Sequence, residues 1–347
     1  MNKIALFQNE RNWQQIRNQV FDLVDQDSAN GQAQNTRLVG KLEQRLAELY
    51  NRRYCVTTAS CTDALIIALT CLNLPLGSVV AVSNYTFVAT AHAVARAGYK
   101  VYPVDVNSTY CIDPEHIPEQ ARAVVVADMF GNMSNWSRLQ KLDIPIVNDA
   151  AQSMESWHGA YSASFGDISC VSFSPSKPIS SWGSGGALFT DDIEVALKAK
   201  ALRLHGRYNK QHTSYHAGMN SMISGFEAAC IWAALDRSEQ WRDRRQHIAN
   251  HLISACKLPA ATDQTIIKHG HQKLVFQSFD RDGYLQHLLD NNVSTAVHYN
   301  NLINDEPLYK SFNELHTSSQ LKEVSFTVPN QHSLTDEEVE HIAKALK

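Results

Sequence analysis

Four short apolar runs recur along one stretch of the chain. They begin near Val79 (Val-Val-Ala-Val), Val101 (Val-Tyr-Pro-Val), Val124 (Val-Val-Val-Ala) and Ile144 (Ile-Pro-Ile-Val). The spacing is about 22 residues, too long for hairpins. Runs this short and this apolar suit strands buried on both faces. Helical or looping connections fill the gaps, with a helix expected over Ala89 to Ala97. Strands alternating with such crossovers predict an α/β fold with a mostly parallel central sheet. The copies are too few and too dissimilar for a solenoid.

The flanking segments extend this pattern. Trp13, Ile16, Val20, Phe21 and Val24 share a helical face, and Leu38 to Tyr50 resumes the same period. Asp25 to Thr36 is polar and reads as a loop. Tyr54 to Thr58 is β-rich and breaks at Ala59-Ser60-Cys61-Thr62-Asp63 before an apolar helix. Ser60 and Thr62 are good N-cap residues there, and a helix start offers free N–H groups to a phosphate. Capping alone explains such a start equally well. Ala187 to Asp191 reads as a strand and Ile193 to Leu204 as a helix, and Asn220 to Ala229 leads into a helix that continues with breaks to about Ala255, of the kind that bridges two domains. The remainder reads as a smaller α+β domain. Its expected strands are 273–277 and 324–328, and its last helix is capped by Ser333 or Thr335. The expected division is 1–240 and 241–347.

Chemistry concentrates between Val147 and Lys177. The run ending Val147-Asn148-Asp149 delivers an acid at a strand's carboxyl end, and Cys170-Val171-Ser172 delivers a hydroxyl, with Lys177 on the loop beyond. Ligands of open α/β sheets sit just outside those strand ends. An acid, a serine and a lysine arriving together suit pyridoxal 5'-phosphate. The lysine would form a Schiff base and the acid would pair with the pyridinium nitrogen. Three polar residues at strand ends would look the same with no cofactor. Phe87, after the 79–82 run, is on its own a core residue sooner than a stacking platform.

Other classes find little support. Net charge is −4, which argues for no nucleic-acid surface. No apolar run approaches the length of a membrane span, and the first residues do not form a signal peptide. The seven cysteines lack a Cys-x-x-Cys pair, which favours a reducing cytoplasm. His212 and His216 have no Glu or Cys partner at ligand spacing, so no metal site is expected. The Gly-rich turn Gly183-Ser184-Gly185-Gly186 leads into a strand, unlike a dinucleotide fingerprint.

The motifs, taken in order, carry a resemblance. They are Ser60-Cys61-Thr62-Asp63-Ala64-Leu65, Thr86-Phe87-Val88-Ala89-Thr90, Asp128-Met129-Phe130-Gly131 and Asn148-Asp149-Ala150-Ala151-Gln152. Phe165-Gly166-Asp167, Ser172-Phe173 with Lys177, Gly185-Gly186-Ala187 and Leu202-Arg203-Leu204-His205-Gly206 come next. Gly218-Met219-Asn220 and Val297-His298-Tyr299 complete the series. The chain resembles the sugar aminotransferases of the DegT/DnrJ/StrS type, which are fold-type-I pyridoxal-phosphate-dependent enzymes.

The resemblance implies roles. Lys177 would carry the cofactor and shuttle protons, and Asp149 would keep the ring nitrogen charged. Gln152 would bond the ring's 3-oxygen, and Phe87 would stack on the ring. Cys61, Thr62, Asp63 and Ser172 would form the phosphate site. Asn220 would reach a neighbouring subunit's phosphate, which implies a homodimer. The implied reaction moves an amino group from L-glutamate to a keto sugar, expected to be nucleotide-linked, in the cytoplasm. A cyclitol or other small ketone as acceptor, or a cofactor-binding regulatory protein without turnover, are the alternatives.

The chain also departs from the family. Cys61 stands for a usual Gly, and Asp128-Met129 for a usual His. Met222 stands for a usual Arg and Glu227 for a usual Gln. Loss of the Arg removes an anion clamp, which Arg203 or Arg207 would have to replace.

Overall fold

The four apolar runs all become strands of one seven-stranded sheet. The computed structural model describes residues 3–28, 36–208, 213–310 and 315–347. Two helices come first, α1 (Asn9–Ser28) and α2 (Arg37–Leu49). The sheet and its crossovers are β1 (Tyr54–Thr58), α3 (Cys61–Cys71), β2 (Val79–Ser83), α4 (Ala89–Arg96), β3 (Lys100–Val104) and β4 (Ala123–Ala127). They continue through the short α5 (Trp136–Leu139), β5 (Ile146–Asp149), β6 (Ile168–Ser172) and β7 (Gly186–Thr190). Next come α6 (Ile193–Arg203), α7 (Gly225–Leu235) and α8 (Ser238–Ala255). The chain ends with β8 (Leu274–Gln277), α9 (Arg281–Asp290), α10 (His316–Val324), β9 (Ser325–Val328) and α11 (Asp336–Ala345).

The strand order is β1-β7-β6-β5-β4-β2-β3. Strands β3, β2, β4, β5 and β6 pair in parallel, and β7 runs antiparallel to both its neighbours. Alternate residues feed opposite faces. Val80, Val82, Val125 and Val147 pack under α3, α4 and α6, while Ala81, Val124, Val126 and Ile146 pack with Trp136 and Leu139. Both faces are therefore covered, which is why all five residues of β4 are buried. Helix α3 is buried from Ala64 to Leu69, so it is apolar all round rather than along one stripe.

A second core forms around the antiparallel pair β8–β9. Phe276 and Phe326 meet Ile248 and Leu252 of α8 and Val339 and Ile342 of α11 there. Ile4 joins this core, exchanging backbone hydrogen bonds with Asn292 and Ser294 at 2.8 and 3.0 Å. Polar contacts tie this part to the sheet's carboxyl end. The Tyr85 hydroxyl donates to the His298 carbonyl at 2.6 Å, and Asp105 accepts from the N–H groups of Thr317 and Ser318 at 2.9 and 2.8 Å.

Several expectations change. Helix α1 runs through Asp25, Gln26 and Asp27, so the polar stretch is not all loop; residues 29–35 lie outside the described residues. Polarity does not end a helix when the residues sit on its wet face, as exposed Asp25 and Gln26 do. Phe21 is largely exposed although it fits the apolar period. The broken helix resolves into α7 and α8. Helix α11 is capped by Thr335 in a reciprocal box with Glu338. The strand expected at 324–328 begins one residue later, because Val324 ends α10. Among the described residues no helix is long and apolar enough to cross a membrane, and no three His, Cys, Asp or Glu side chains cluster as metal ligands. His212 lies outside the described residues, and the His216 ring meets the Tyr208 hydroxyl at 2.8 Å.

Candidate active site

The carboxyl ends of β2, β4, β5 and β6 open onto a cavity of about 510 Å³. Each strand contributes side chains at its carboxyl end or just past it. Beyond β2 stand Thr86 and Phe87; beyond β4, Asp128 and Met129; from β5, Asp149 and then Gln152; from β6, Ser172 and then Lys177. Lys273, just before β8, and His298 and Tyr299, further along the chain, line the cavity as well, and Phe7 reaches in from the N-terminal segment.

Asp149 is 8% exposed. The Thr90 hydroxyl donates to one of its oxygens at 2.8 Å, and the Ala151 N–H donates to the other at 3.2 Å. Burial raises this carboxyl above the ordinary range, while Thr90, Ala151 and Lys177 pull it back. Burial also lowers the Lys177 ammonium, against the attraction of Asp149. A lysine held this way loses its proton more readily than one in water, as an amine nucleophile requires. Gln152 donates to the Tyr299 hydroxyl at 3.0 Å, and its own amide oxygen is buried without a partner. The Phe87 ring is 55% exposed, so the core reading does not hold; it lies 5.8 Å from the Tyr299 ring.

The first turn of α3 forms another wall. Ser60 is its N-cap, its hydroxyl accepting from the Asp63 N–H at 3.1 Å. The N–H groups of Cys61 and Thr62 have no intrahelical acceptor, and both residues line the cavity. Gly186 makes room for this turn. A Cβ there would stand 2.5 Å from the Cys61 nitrogen. Burial and nearby Asp149 keep the Cys61 thiol well above its usual range, so it stays protonated.

Two nominated residues fall outside the cavity lining. Asp63 turns its carboxylate to the Ser221 hydroxyl at 2.8 Å. Asn220 is exposed, on a segment bridged to Leu204. Neither arginine offered for the lost clamp reaches the cavity. Arg203 is buried against Glu43 at 2.5 Å and the Thr57 carbonyl at 2.7 Å. Arg207 lies beside Ser214. Met222 is not in the lining either. Glu227 has a local task, since its carboxylate accepts from the Ser224 N–H in the capping box of α7. Asp128 is likewise spoken for, accepting from the Ser134 N–H, Trp136 and the Ser162 hydroxyl.

Sequence reasoning gave no role to Thr90 or Lys273. Thr90 stood inside a quoted motif, three residues past Phe87, where one helical turn returns to the same side. Lys273 had only the look of a first strand residue, and nothing local marks which way it faces.

A sheet of this order, with one reversed strand next to the strand whose following loop carries Lys177, is the fold of the fold-type-I pyridoxal-phosphate-dependent enzymes. The sequence model described as the DegT/DnrJ/EryC1/StrS aminotransferase family matches residues 14–347, and the chain belongs to that family. It is 31% identical over 282 residues to the UDP-2-acetamido-2-deoxy-3-oxo-D-glucuronate aminotransferase of Pseudomonas aeruginosa, covering 78% of each chain. It is 26% identical over 326 residues to the dTDP-3-amino-3,6-dideoxy-alpha-D-galactopyranose transaminase of Aneurinibacillus thermoaerophilus, covering 89% of each. Among solved structures, S. venezuelae DesV in complex with a ketimine intermediate superposes with a TM-score of 0.94. The identity is 21%, over 100% of this chain and 98% of that one.

Enzymes of this family depend on pyridoxal 5'-phosphate. The residues present fit it. The cavity offers a buried amine, a carboxylate, an unpartnered amide oxygen and a helix N-terminus with free N–H groups.

Proposed function

We propose that this aminotransferase moves an amino group from L-glutamate to a keto sugar carried on a nucleotide. Its relatives from Pseudomonas aeruginosa and Aneurinibacillus thermoaerophilus, whose names specify UDP- and dTDP-linked sugars, support the acceptor class. One observation carries the site assignment: Lys177 and Asp149 converge on one buried cavity, and each perturbs the other's ionisation.

When bound, the cofactor supplies an electron sink for the carbon that exchanges its amine. The chain's own residues do the rest. Lys177 would hold the cofactor and would carry the proton at its Nζ in both half-reactions. Asp149, fixed by Thr90 and Ala151, would pair with the ring nitrogen. Gln152 and Tyr299 would hold the ring's polar edge, and Phe87 would stack on the ring. Cys61 and Thr62 would bind phosphate through backbone N–H groups, helped by the Ser172 hydroxyl; the Asp63 carboxylate holds Ser221 instead. Asn220, exposed and outside its own chain's cavity, completes a partner's site in a cytoplasmic homodimer. The lobes divide at about residue 240, with Ile4 returning to the C-terminal core.

The test is borohydride reduction of the purified protein followed by peptide mass spectrometry. A cofactor adduct on Lys177, together with transfer from glutamate to a keto-sugar nucleotide, is expected. An adduct on another lysine, or none after reconstitution, overturns the site assignment. Turnover with a cyclitol ketone but no keto sugar overturns the substrate.

A further inference from the structure

Two cations line the cavity, and the proposed function uses only Lys177. The other, Lys273, is 7% exposed and stands just before β8. Its ammonium lies 5.0 Å over the Phe7 ring, and among the described residues no carboxylate pairs with it. Burial and Lys177 together push it down to about 7, and burial, with Lys273 and Lys177 nearby, pushes His298 down to about 3. The acids nearby are engaged: Asp149 by Thr90 and Ala151, Asp128 by Ser134, Trp136 and Ser162. Among the described residues no arginine is in the lining.

A buried cation is costly unless it meets an anion or gives up its proton. The aromatic contact with Phe7 is too weak to replace an ion pair. Lys177 is committed to the cofactor, so Lys273 is the cation left among the described lining residues. It stands just before β8, in a lining that also includes His298 and Tyr299.

We propose that Lys273 is the substrate-anion site of this enzyme, holding a carboxylate that the substrates bring into the cavity. The proposal rests on the reading of Lys177 as the cofactor lysine. Either the amino donor or an acidic sugar acceptor can supply the carboxylate, and the two half-reactions separate these sources. Lys273 is then a binding residue that determines specificity, taking the part for which the sequence offered Arg203 and Arg207.

The experiment uses holoenzyme carrying Lys273→Met, an uncharged side chain of similar length, and Lys273→Arg. Stopped-flow absorbance tracks the glutamate half-reaction. Calorimetry measures binding of maleate, an unreactive dicarboxylate. The acceptor half-reaction is run with an acidic and a neutral keto sugar. With the donor as source, Lys273→Met raises glutamate half-saturation and the maleate Kd about tenfold or more, the scale of a lost charged hydrogen bond. The maximal rate changes little, and Lys273→Arg restores most of the binding. With the acceptor as source, glutamate and maleate are unaffected, and preference for the acidic sugar collapses in Lys273→Met. If neither half-reaction nor maleate binding moves, the proposal is wrong. It is also wrong if Lys273→Met weakens only cofactor retention, which would assign the ammonium to the phosphate. Absence of an adduct on Lys177 in the unaltered protein would defeat the functional reading instead, and is scored separately.

Discussion

Replacing Thr90 by Val probes how Asp149 is kept ionised. Valine keeps the shape of threonine and removes the hydroxyl that donates to Asp149 at 2.8 Å. The carboxylate then keeps a single protein donor, the Ala151 N–H at 3.2 Å. A hydrogen bond to a charged group contributes about 1.5–3 kcal/mol. One pKa unit corresponds to about 1.4 kcal/mol. Burial already raises this carboxyl, and Thr90 is the largest of the opposing effects. Its loss should lift the Asp149 pKa further, because the hydroxyl stabilises only the ionised form. Well above that pKa the carboxylate is ionised with or without cofactor, so affinity barely changes. Below it, binding the charged ring nitrogen must first remove a proton, and affinity falls about tenfold per pH unit.

The assay is titration of apoprotein with pyridoxal phosphate from pH 5 to 8, variant against wild type at each pH. The ratio of Kd values should stay near one at pH 8 and grow toward acid, to roughly 10- to 100-fold. Taking the ratio cancels the cofactor's own titrations. A ratio that is constant across the range would refute the reasoning, because Thr90 would then act through packing alone.

Other outcomes rest on particular contacts. Asp149→Ala should fold but lose transamination, seen as normal thermal melting with kcat reduced by orders of magnitude; near-wild-type turnover would remove Asp149 from its role. His332 is stacked 4.1 Å from Trp241 with both ring nitrogens unpartnered, and burial pushes its pKa down to about 2. Its folded pKa lies below its unfolded one, so its contribution is intact above about pH 6.5 and erodes as pH falls. His332→Phe should therefore gain on wild type by about 2 kcal/mol more at pH 5 than at pH 8 in chemical denaturation; an equal difference at both pH values would contradict the shift. Gly186→Ala should displace the α3 turn, costing about 1–3 kcal/mol in stability and weakening cofactor phosphate binding, since its Cβ would sit 2.5 Å from the Cys61 nitrogen. Mixing Lys177→Ala and Asn220→Ala chains should restore activity in heterodimers, where one site has both residues intact; no recovery on verified mixed dimers would place Asn220 outside the partner's site.

The sequence by itself determined the class of fold and which strand ends meet at the cavity. Four apolar runs at regular spacing cannot be covered on both faces except by crossovers in a largely parallel sheet. Residues just beyond such strands must then emerge at one edge, which is how Asp149, Ser172 and Lys177 were legible together. Ordered motifs did the rest, leading from Ser60 to Tyr299 and to the family.

What sequence could not decide was which polar groups find local partners and which are left facing the cavity. Glu227 looked like a changed site residue and is a helix cap bonded to Ser224. Arg203 looked like a replacement clamp and is held by Glu43, which is far away in sequence on α2. Phe87 fitted a core position and is largely exposed at the cavity. Lys273 was one lysine at the head of an apolar strand until tertiary packing brought it near Lys177, with no acid paired to it among the described residues. Periodicity reports which residues share a face of one element. Whether a charge on that face is paired depends on which second element arrives against it, and in this protein only the tertiary structure brings β8 to the strand ends of the sheet.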